Sequence, residues 1–194
     1  MNRRTMVKMA GGAMMGLLLA QTGIGTAAEK ETDAALTELY AAAHKQQVKT
    51  ELVMVGTIDS DGFPQIRVMS NLRHSSQAAS KLLGDTEFVT YAVTRADTEK
   101  LQHLAKNPHM SMYYQDGGQG LLLMGTGEIV TDPKTRHAVW GDFFKRMGYT
   151  DPDDSMLVVL KFTPTHGKFY YKQKQNKLTF AKSNREHAVL FGQK

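Results

Sequence analysis

The chain has 194 residues, a formal net charge of +5 and no cysteine. This length is enough for one domain with a sizeable core, and the lack of cysteine excludes disulfides, thiolate catalysis and cysteine-ligated metals. Loss of residues 1–28 would remove Arg3, Arg4 and Lys8 and no acidic residue, so the formal charge would fall to +2. The remaining sequence has no dense basic stripe with interleaved aromatic residues, and we therefore expect no nucleic-acid binding.

Residues 1–28 predict an export signal. A basic start precedes an apolar run over residues 9–20, and small residues lead to a cleavage site at residues 26–28. The apolar run is too short to cross a bilayer comfortably as a helix. The pair Arg3–Arg4 resembles a twin-arginine motif. We expect export to the bacterial periplasm, no stable membrane span after cleavage, and a single mature domain over residues 29–194. An ordinary secretory signal and a buried or anchoring N-terminal helix are the alternatives.

The mature region begins with a helical pattern and then a β-hairpin. Apolar residues at helical spacing predict an amphipathic helix over residues 29–47. Two β-rich runs over residues 51–72 flank a glycine-containing turn and predict the hairpin. Arg67 is unusual because it stands in the middle of the second run. An unpaired charge on a covered face is costly, so Arg67 either lies on a solvated face or meets an anion.

The later segments alternate between β-rich and helical patterns. Residues 73–84 predict a short helix or an ordered loop. Strands are then predicted over residues 87–94, 110–115, 121–130 and 156–164. Helices are predicted over residues 97–106, with Asp97 as the cap, and from Pro133 to Gly148. A last hairpin is predicted over residues 168–181, with its turn at Gln175–Asn176. Gly125 and Gly127 inside a strand indicate a bulge or a close backbone approach. These short elements with antiparallel-type connections predict a mainly β fold, a β-barrel with helical additions.

Three of these elements carry groups that suit one anion. Arg67 offers a rigid guanidinium fork, and Thr94 closes the strand over residues 87–94. The next helix begins near Thr98 and Lys100, where unpaired backbone N–H groups and the helix dipole favour negative charge. The alternative interpretations are that Thr98 is only a helix cap and that Lys100 lies on a solvated face of the helix. Their joint spacing after a strand nevertheless predicts an anion site.

The order of these motifs resembles the pyridoxamine 5'-phosphate oxidase-like FMN-binding split barrels, and most closely the general stress protein branch. The similarity spans about residues 37–171 and includes Asn107–Pro108 before a strand and an aromatic helix around Trp140. The resemblance implies a split β-barrel of roughly six to eight mostly antiparallel strands with a few short helices. It also implies a homodimer with FMN at the interface.

The resemblance further implies a cofactor site. Arg67 would meet the FMN phosphate, backbone groups near Val68 would approach the isoalloxazine ring, and Lys100 with nearby threonines would hold the phosphate and ribityl chain. The implied cofactor-binding residues are Arg67, Val68, Met69, Ser70, Val93, Thr94, Thr98 and Lys100.

The implied activity is that of a flavin-dependent oxidoreductase acting on an unidentified small molecule, with the flavin itself carrying the chemistry. A non-catalytic flavin-binding stress protein and a haem- or deazaflavin-binding relative are the alternatives. Vitamin B6 oxidation is not expected, because the chain after Tyr171 has no Trp and a single Arg. The histidines show no metal-ligand spacing, so no metal site is predicted. His103 and His109 are predicted at the surface, and His166 and His187 are the candidates for a haem ligand.

Overall fold

A computed structural model describes the backbone of residues 27–84 and 88–180, and side chains within those ranges from residue 33 onwards. The predicted signal segment therefore lies almost entirely outside the described residues, as does the chain beyond residue 180. None of the described helices combines the length and apolar character that a membrane crossing needs.

The described residues form six helices and seven strands. In chain order these are α1 (Ala27–Lys49), β1 (Leu52–Ile58), β2 (Pro64–Ser70), α2 (Leu72–Ser75), α3 (Gln77–Leu83), β3 (Thr90–Arg95), α4 (Glu99–Lys106), β4 (His109–Asp116), β5 (Gln119–Ile129), α5 (Pro133–Val139), α6 (Asp142–Arg146), β6 (Leu157–Tyr171) and β7 (Lys174–Thr179). The predicted first helix, first hairpin and two strands around the Asp116–Gly118 turn are all present.

The strands form one antiparallel sheet in the order β2-β1-β4-β5-β6-β3, and β7 pairs with β6 beyond this path. Among the described strands, β2 and β3 stand at the two ends of the path and do not pair with each other. The sheet is therefore not a closed barrel. The prediction of a mainly β split barrel with six to eight antiparallel strands is confirmed.

Apolar side chains fill two clusters on either side of β3. The larger cluster lies between α1 and the sheet and includes Val55, Leu123 and Phe162. The second packs α2, α3, α5 and α6 against β3 and β6, with Val93 and Phe144 among its members. Because successive side chains of a strand point to opposite faces, β3 contributes to both clusters. This double burial holds β3 rigidly at its end of the sheet.

The long strand β6 differs from its prediction. The strand runs unbroken through Pro164 and the chain turns at Lys172–Gln173, whose φ values are 48° and 62°. The predicted turn at Gln175–Asn176 is wrong, because those residues lie within β7. Pro164 is tolerated at a register shift opposite Gly125. A Cβ at Gly125 would overlap the Thr163 carbonyl oxygen, so the predicted close backbone approach is confirmed.

The helix predicted from Pro133 to Gly148 is interrupted. It divides into α5 and α6 at Trp140–Gly141, where Trp140 has an extended backbone. Trp140 still stacks on Phe144, with ring centroids 5.2 Å apart. The predicted aromatic stripe is thus retained across the break, and Phe144 of α6 belongs to the same buried cluster as Leu157 at the start of β6.

Candidate functional site

A cavity of about 490 Å³ lies at the seam between β2 and β3, within the size range of small-molecule sites. Its walls come from β2, β3, the start of α4 and the segment between α6 and β6. The structure places all eight predicted site residues in this one lining: Arg67, Val68, Met69, Ser70, Val93, Thr94, Thr98 and Lys100. Their role in binding a cofactor stays a prediction.

Strand register places Arg67 at this seam. Arg67 pairs with Val55 of β1, and residues directly opposite on paired strands share a face. Val55 is fully buried, so Arg67 lies on the covered face of the hairpin and is itself half-buried. Its Nη1 donates a hydrogen bond to Thr57 Oγ1 at 2.8 Å. Burial lowers the pKa of Arg67, and the charge of Glu99 opposes this shift.

Lys100 reaches the same cavity from the first turn of α4. The cap of α4 is Thr98 and not Asp97, and the Thr98 side chain makes no capping hydrogen bond. The Thr98 hydroxyl instead donates to Arg95 O at 2.9 Å and lies 3.1 Å from Thr94 Oγ1. Lys100 Nζ donates to Thr94 Oγ1 at 2.6 Å. The two threonine hydroxyls and the ammonium therefore form one hydrogen-bonded group at the end of β3.

Arg67 influences the charge state of Lys100. Burial lowers the pKa of Lys100, and the positive charge of Arg67 lowers it further, while Asp97 acts in the opposite direction. Among the described residues, neither Arg67 nor Lys100 forms an ion pair. By contrast, Arg95 pairs with Asp97 at 2.9 Å on the surface. Two half-buried cations without a carboxylate partner suit a bound anion, since an unpaired charge away from water is costly.

The rest of the cavity lining is mixed. Its apolar members are Leu52, Val68 and Val93 together with Met147 and Met156. The segment from Met147 to Met156 was not among the predicted site residues; it lies beside the end of β3, where Ala96 N donates a hydrogen bond to Met156 O at 3.0 Å. Tyr149 and Asp154 of this segment also line the cavity, near Arg95, whose charge acts on both. Burial raises the pKa of Tyr149, and the Asp154 carboxylate accepts bonds from the Thr150 and Met156 backbone.

The structure also corrects the interpretation of one histidine. His103 is 9% exposed, so its prediction as a surface residue is wrong, whereas His109 is exposed as expected. His103 Nδ1 lies 3.1 Å from the buried Thr57 hydroxyl. Helical spacing places His103 on the same side of α4 as Lys100, but no local pattern in the sequence signalled its burial against β1. Within the described residues, no cluster of three or more His, Cys, Asp or Glu is arranged to hold a metal ion.

An open antiparallel sheet with a cation-lined cavity at its seam defines a split-barrel protein with a candidate anion site. The family model for pyridoxamine 5'-phosphate oxidase matches residues 32–171, and the chain belongs to this family. The family predicted from the sequence is thereby confirmed. A search of curated protein sequences gives no significant match.

Solved structures agree with this assignment. A Clostridium acetobutylicum protein related to general stress protein 26 has a TM-score of 0.59 and 26% identity, over 73% of this chain and 94% of that chain. General stress protein 26 from Bacillus anthracis has a TM-score of 0.52 and 17% identity, over 66% and 92%. A pyridoxamine 5'-phosphate oxidase-related, FMN-binding protein from Nostoc punctiforme has a TM-score of 0.58 and 11% identity, over 82% and 96%. The last two likenesses show the fold alone.

Proposed function

We propose that the chain binds FMN at the seam between β2 and β3 and acts as a flavin-dependent oxidoreductase on a small molecule. One observation carries this proposal: Arg67 and Lys100, which form no ion pair among the described residues, line one cavity together with the Thr94 and Thr98 hydroxyls and several apolar side chains. A phosphate with two negative charges needs cationic and hydroxyl donors. A flat aromatic ring system needs an apolar slot, and the cavity provides both.

The residues of the chain divide between these two tasks. Arg67, Lys100, Thr94 and Thr98, here called the clamp, would hold the phosphate, because they combine the two cations that form no ion pair among the described residues with two adjacent hydroxyls, whereas Arg95 in the same lining is already paired with Asp97. Val68 and its apolar neighbours would contact the ring and exclude water from it. Bound FMN would supply hydride or electron transfer. The FMN-binding protein from Nostoc punctiforme shares the fold and supports this choice of cofactor.

A haem on the same fold is less well supported. The described residues that line the cavity include no histidine or cysteine, which are common axial ligands of haem iron. His166 lies on β6 outside this lining, and His187 lies outside the described residues. A deazaflavin cofactor that carries a phosphate would meet the same clamp.

A homodimer is part of the proposal. The outer face of the β1–β2 hairpin exposes an apolar surface, the hairpin face, made of Leu52 (55% exposed), Met54 (37%), Phe63 (67%), Ile66 (70%) and Val68 (63%). Contiguous exposed apolar surface of this kind marks an interaction site. Leu52 and Val68 also line the cavity. A second copy of the chain on this face would therefore cover part of the apolar lining of the site.

The proposal is tested by loading and reducing the purified protein. We expect the chain to take up FMN with a shifted flavin absorbance spectrum, and to bind riboflavin much more weakly because it lacks the phosphate. Anaerobic reduction of the bound flavin by a nicotinamide cofactor, followed by reoxidation with an acceptor, would support an oxidoreductase. Uptake of FMN without reduction would favour the non-catalytic flavin-binding stress protein. Failure to take up FMN would refute both.

Export remains a proposal supported by the sequence of residues 1–28. Replacement of both Arg3 and Arg4 by lysine removes the twin-arginine signal while it retains the charge. We expect the variant to remain in the cytoplasmic fraction and the parent chain to reach the periplasm. Equal export of both would indicate the ordinary secretory route.

A further inference from the structure

A buried threonine links Arg67 to a histidine on the other side of β1. Thr57 is 1% exposed, and its Oγ1 lies 2.8 Å from Arg67 Nη1 and 3.1 Å from His103 Nδ1. The three residues belong to β1, β2 and α4. Neither Thr57 nor His103 lines the seam cavity. Any influence of these two residues on a bound anion is therefore indirect, through the residues that line the cavity.

The chemistry of the three groups fixes the direction of the hydrogen bonds. A guanidinium only donates, so Thr57 Oγ1 accepts from Arg67. The proton of a buried hydroxyl needs an acceptor, and His103 Nδ1 is the acceptor that the described residues provide. On this ground we assign the hydroxyl proton of Thr57 to the contact with His103 Nδ1.

We propose that Thr57 and His103 are positioning residues that orient Arg67 for the anion, an inference that rests on the phosphate site of the proposed function. Arginine loses much rotamer freedom when it is ordered. A bond from Nη1 to a buried hydroxyl fixes the guanidinium before the ligand arrives, and such preorganisation increases affinity. One Arg67 donor is used in this way, and the other donors of the fork remain available to the cavity.

The arrangement also couples the two halves of the clamp. His103 stands one turn after Lys100 on α4, while Thr57 stands on the strand paired with that of Arg67. The hydrogen-bonded chain from Arg67 through Thr57 to His103 therefore joins β2 to the helix that carries the second cation. Loss of the Thr57 hydroxyl would leave the distance between Arg67 and Lys100 less firmly fixed, without removal of either charge.

The test compares FMN with riboflavin, which lacks the phosphate. Thr57→Val removes the hydroxyl at nearly constant volume, and we expect it to weaken FMN binding about tenfold, which corresponds to one lost hydrogen bond, with little change for riboflavin. Thr57→Ser should restore FMN binding. Thr50→Val is the matched control, because Thr50 is also a buried threonine that donates a 2.7 Å hydrogen bond, in its case to Gln46 O. This control should lower thermal stability and leave the FMN-to-riboflavin affinity ratio unchanged.

His103, at the other end of the hydrogen-bonded chain, gives a second pair of variants. His103→Asn retains an acceptor near Nδ1 and His103→Leu removes it, so only the leucine variant should weaken FMN binding selectively. In an Arg67→Ala background, Thr57→Val should have no further effect on FMN affinity. Equal losses for FMN and riboflavin, or an unchanged FMN affinity in Thr57→Val beside a weakened Arg67→Ala, would overturn the positioning role. An Arg67→Ala variant with unchanged FMN affinity would instead overturn the phosphate site itself.

Discussion

Replacement of Arg67 by alanine is the most direct test of the phosphate clamp. The variant loses the half-buried guanidinium that lines the seam cavity beside Lys100. It retains the Thr94–Thr98–Lys100 group, whose hydrogen bonds do not involve Arg67. We therefore expect weakened FMN binding by a protein that still folds.

The structure sets the size of the effect. A hydrogen bond to a charged group contributes about 1.5–3 kcal/mol, and two unit charges about 4 Å apart near a protein surface interact by up to about 4 kcal/mol. Part of the loss is offset, because Arg67 lowers the pKa of Lys100 and its removal lets Lys100 hold its proton more firmly. We expect a net loss of about 2–3 kcal/mol, which is roughly 30- to 150-fold in the dissociation constant.

Quenching of flavin fluorescence measures the dissociation constants of FMN and riboflavin for the parent protein and the variant. The FMN constant should rise and the riboflavin constant should stay nearly the same. Arg146→Ala is a suitable control, because Arg146 is an exposed arginine that is not part of the cavity lining. An unchanged FMN constant, or equal losses for the two flavins, would refute the assignment of Arg67 to the phosphate.

Three further outcomes are expected. FMN affinity should fall as the pH rises towards the ordinary lysine pKa of about 10.4. The reason is that the pKa of Lys100 is lowered, and a neutral amine no longer attracts phosphate. In the same titration, Lys100→Arg should move this fall in affinity to higher pH. Ile66→Glu on the hairpin face should convert a dimer to a monomer in light-scattering measurements, while Ile129→Glu, at an isoleucine 42% exposed elsewhere, should not. Gly125→Ala should lower the free energy of unfolding by about 1–3 kcal/mol through backbone overlap, and Gly118→Ala, which meets nothing within 4 Å, should change it little in denaturant titrations.

The predicted site residues lie together in the structure because regular elements position them, Arg67 and the three residues after it in β2, and the others at the end of β3 and the start of α4. Strand alternation fixes the face on which Arg67 lies, and the spacing of Thr94, Thr98 and Lys100 follows from a strand end and one helical turn. Such short-range patterns can be predicted from a sequence. That β2 and β3 meet at one cavity is a long-range fact, which came from the family resemblance and not from any local signal.

The parts that were not predicted depend on tertiary packing. The segment from Met147 to Met156 lines the cavity beside the end of β3, and Trp140 adopts an extended conformation that separates α5 from α6. A continuous helical pattern across Trp140 gave no sign of the break. The burial of His103 against Thr57 likewise joins a helix to a strand that is distant in sequence. Local patterns report neither contact.

The clamp has a cost in the protein without ligand, and this gives the Arg67 variant a second readout. Burial lowers the pKa of both cations, and Arg67 lowers that of Lys100 further, so each is held at a cost in the folded chain; removal of Arg67 should leave the melting temperature of the apo protein unchanged or raise it. Thr57 keeps a hydrogen bond to His103 in the variant, which limits any loss. Ligand that binds only the folded state raises its stability, so FMN should raise the melting temperature of the parent protein far more than that of Arg67→Ala. A variant less stable than the parent without FMN would show that Arg67 serves the fold and not the anion.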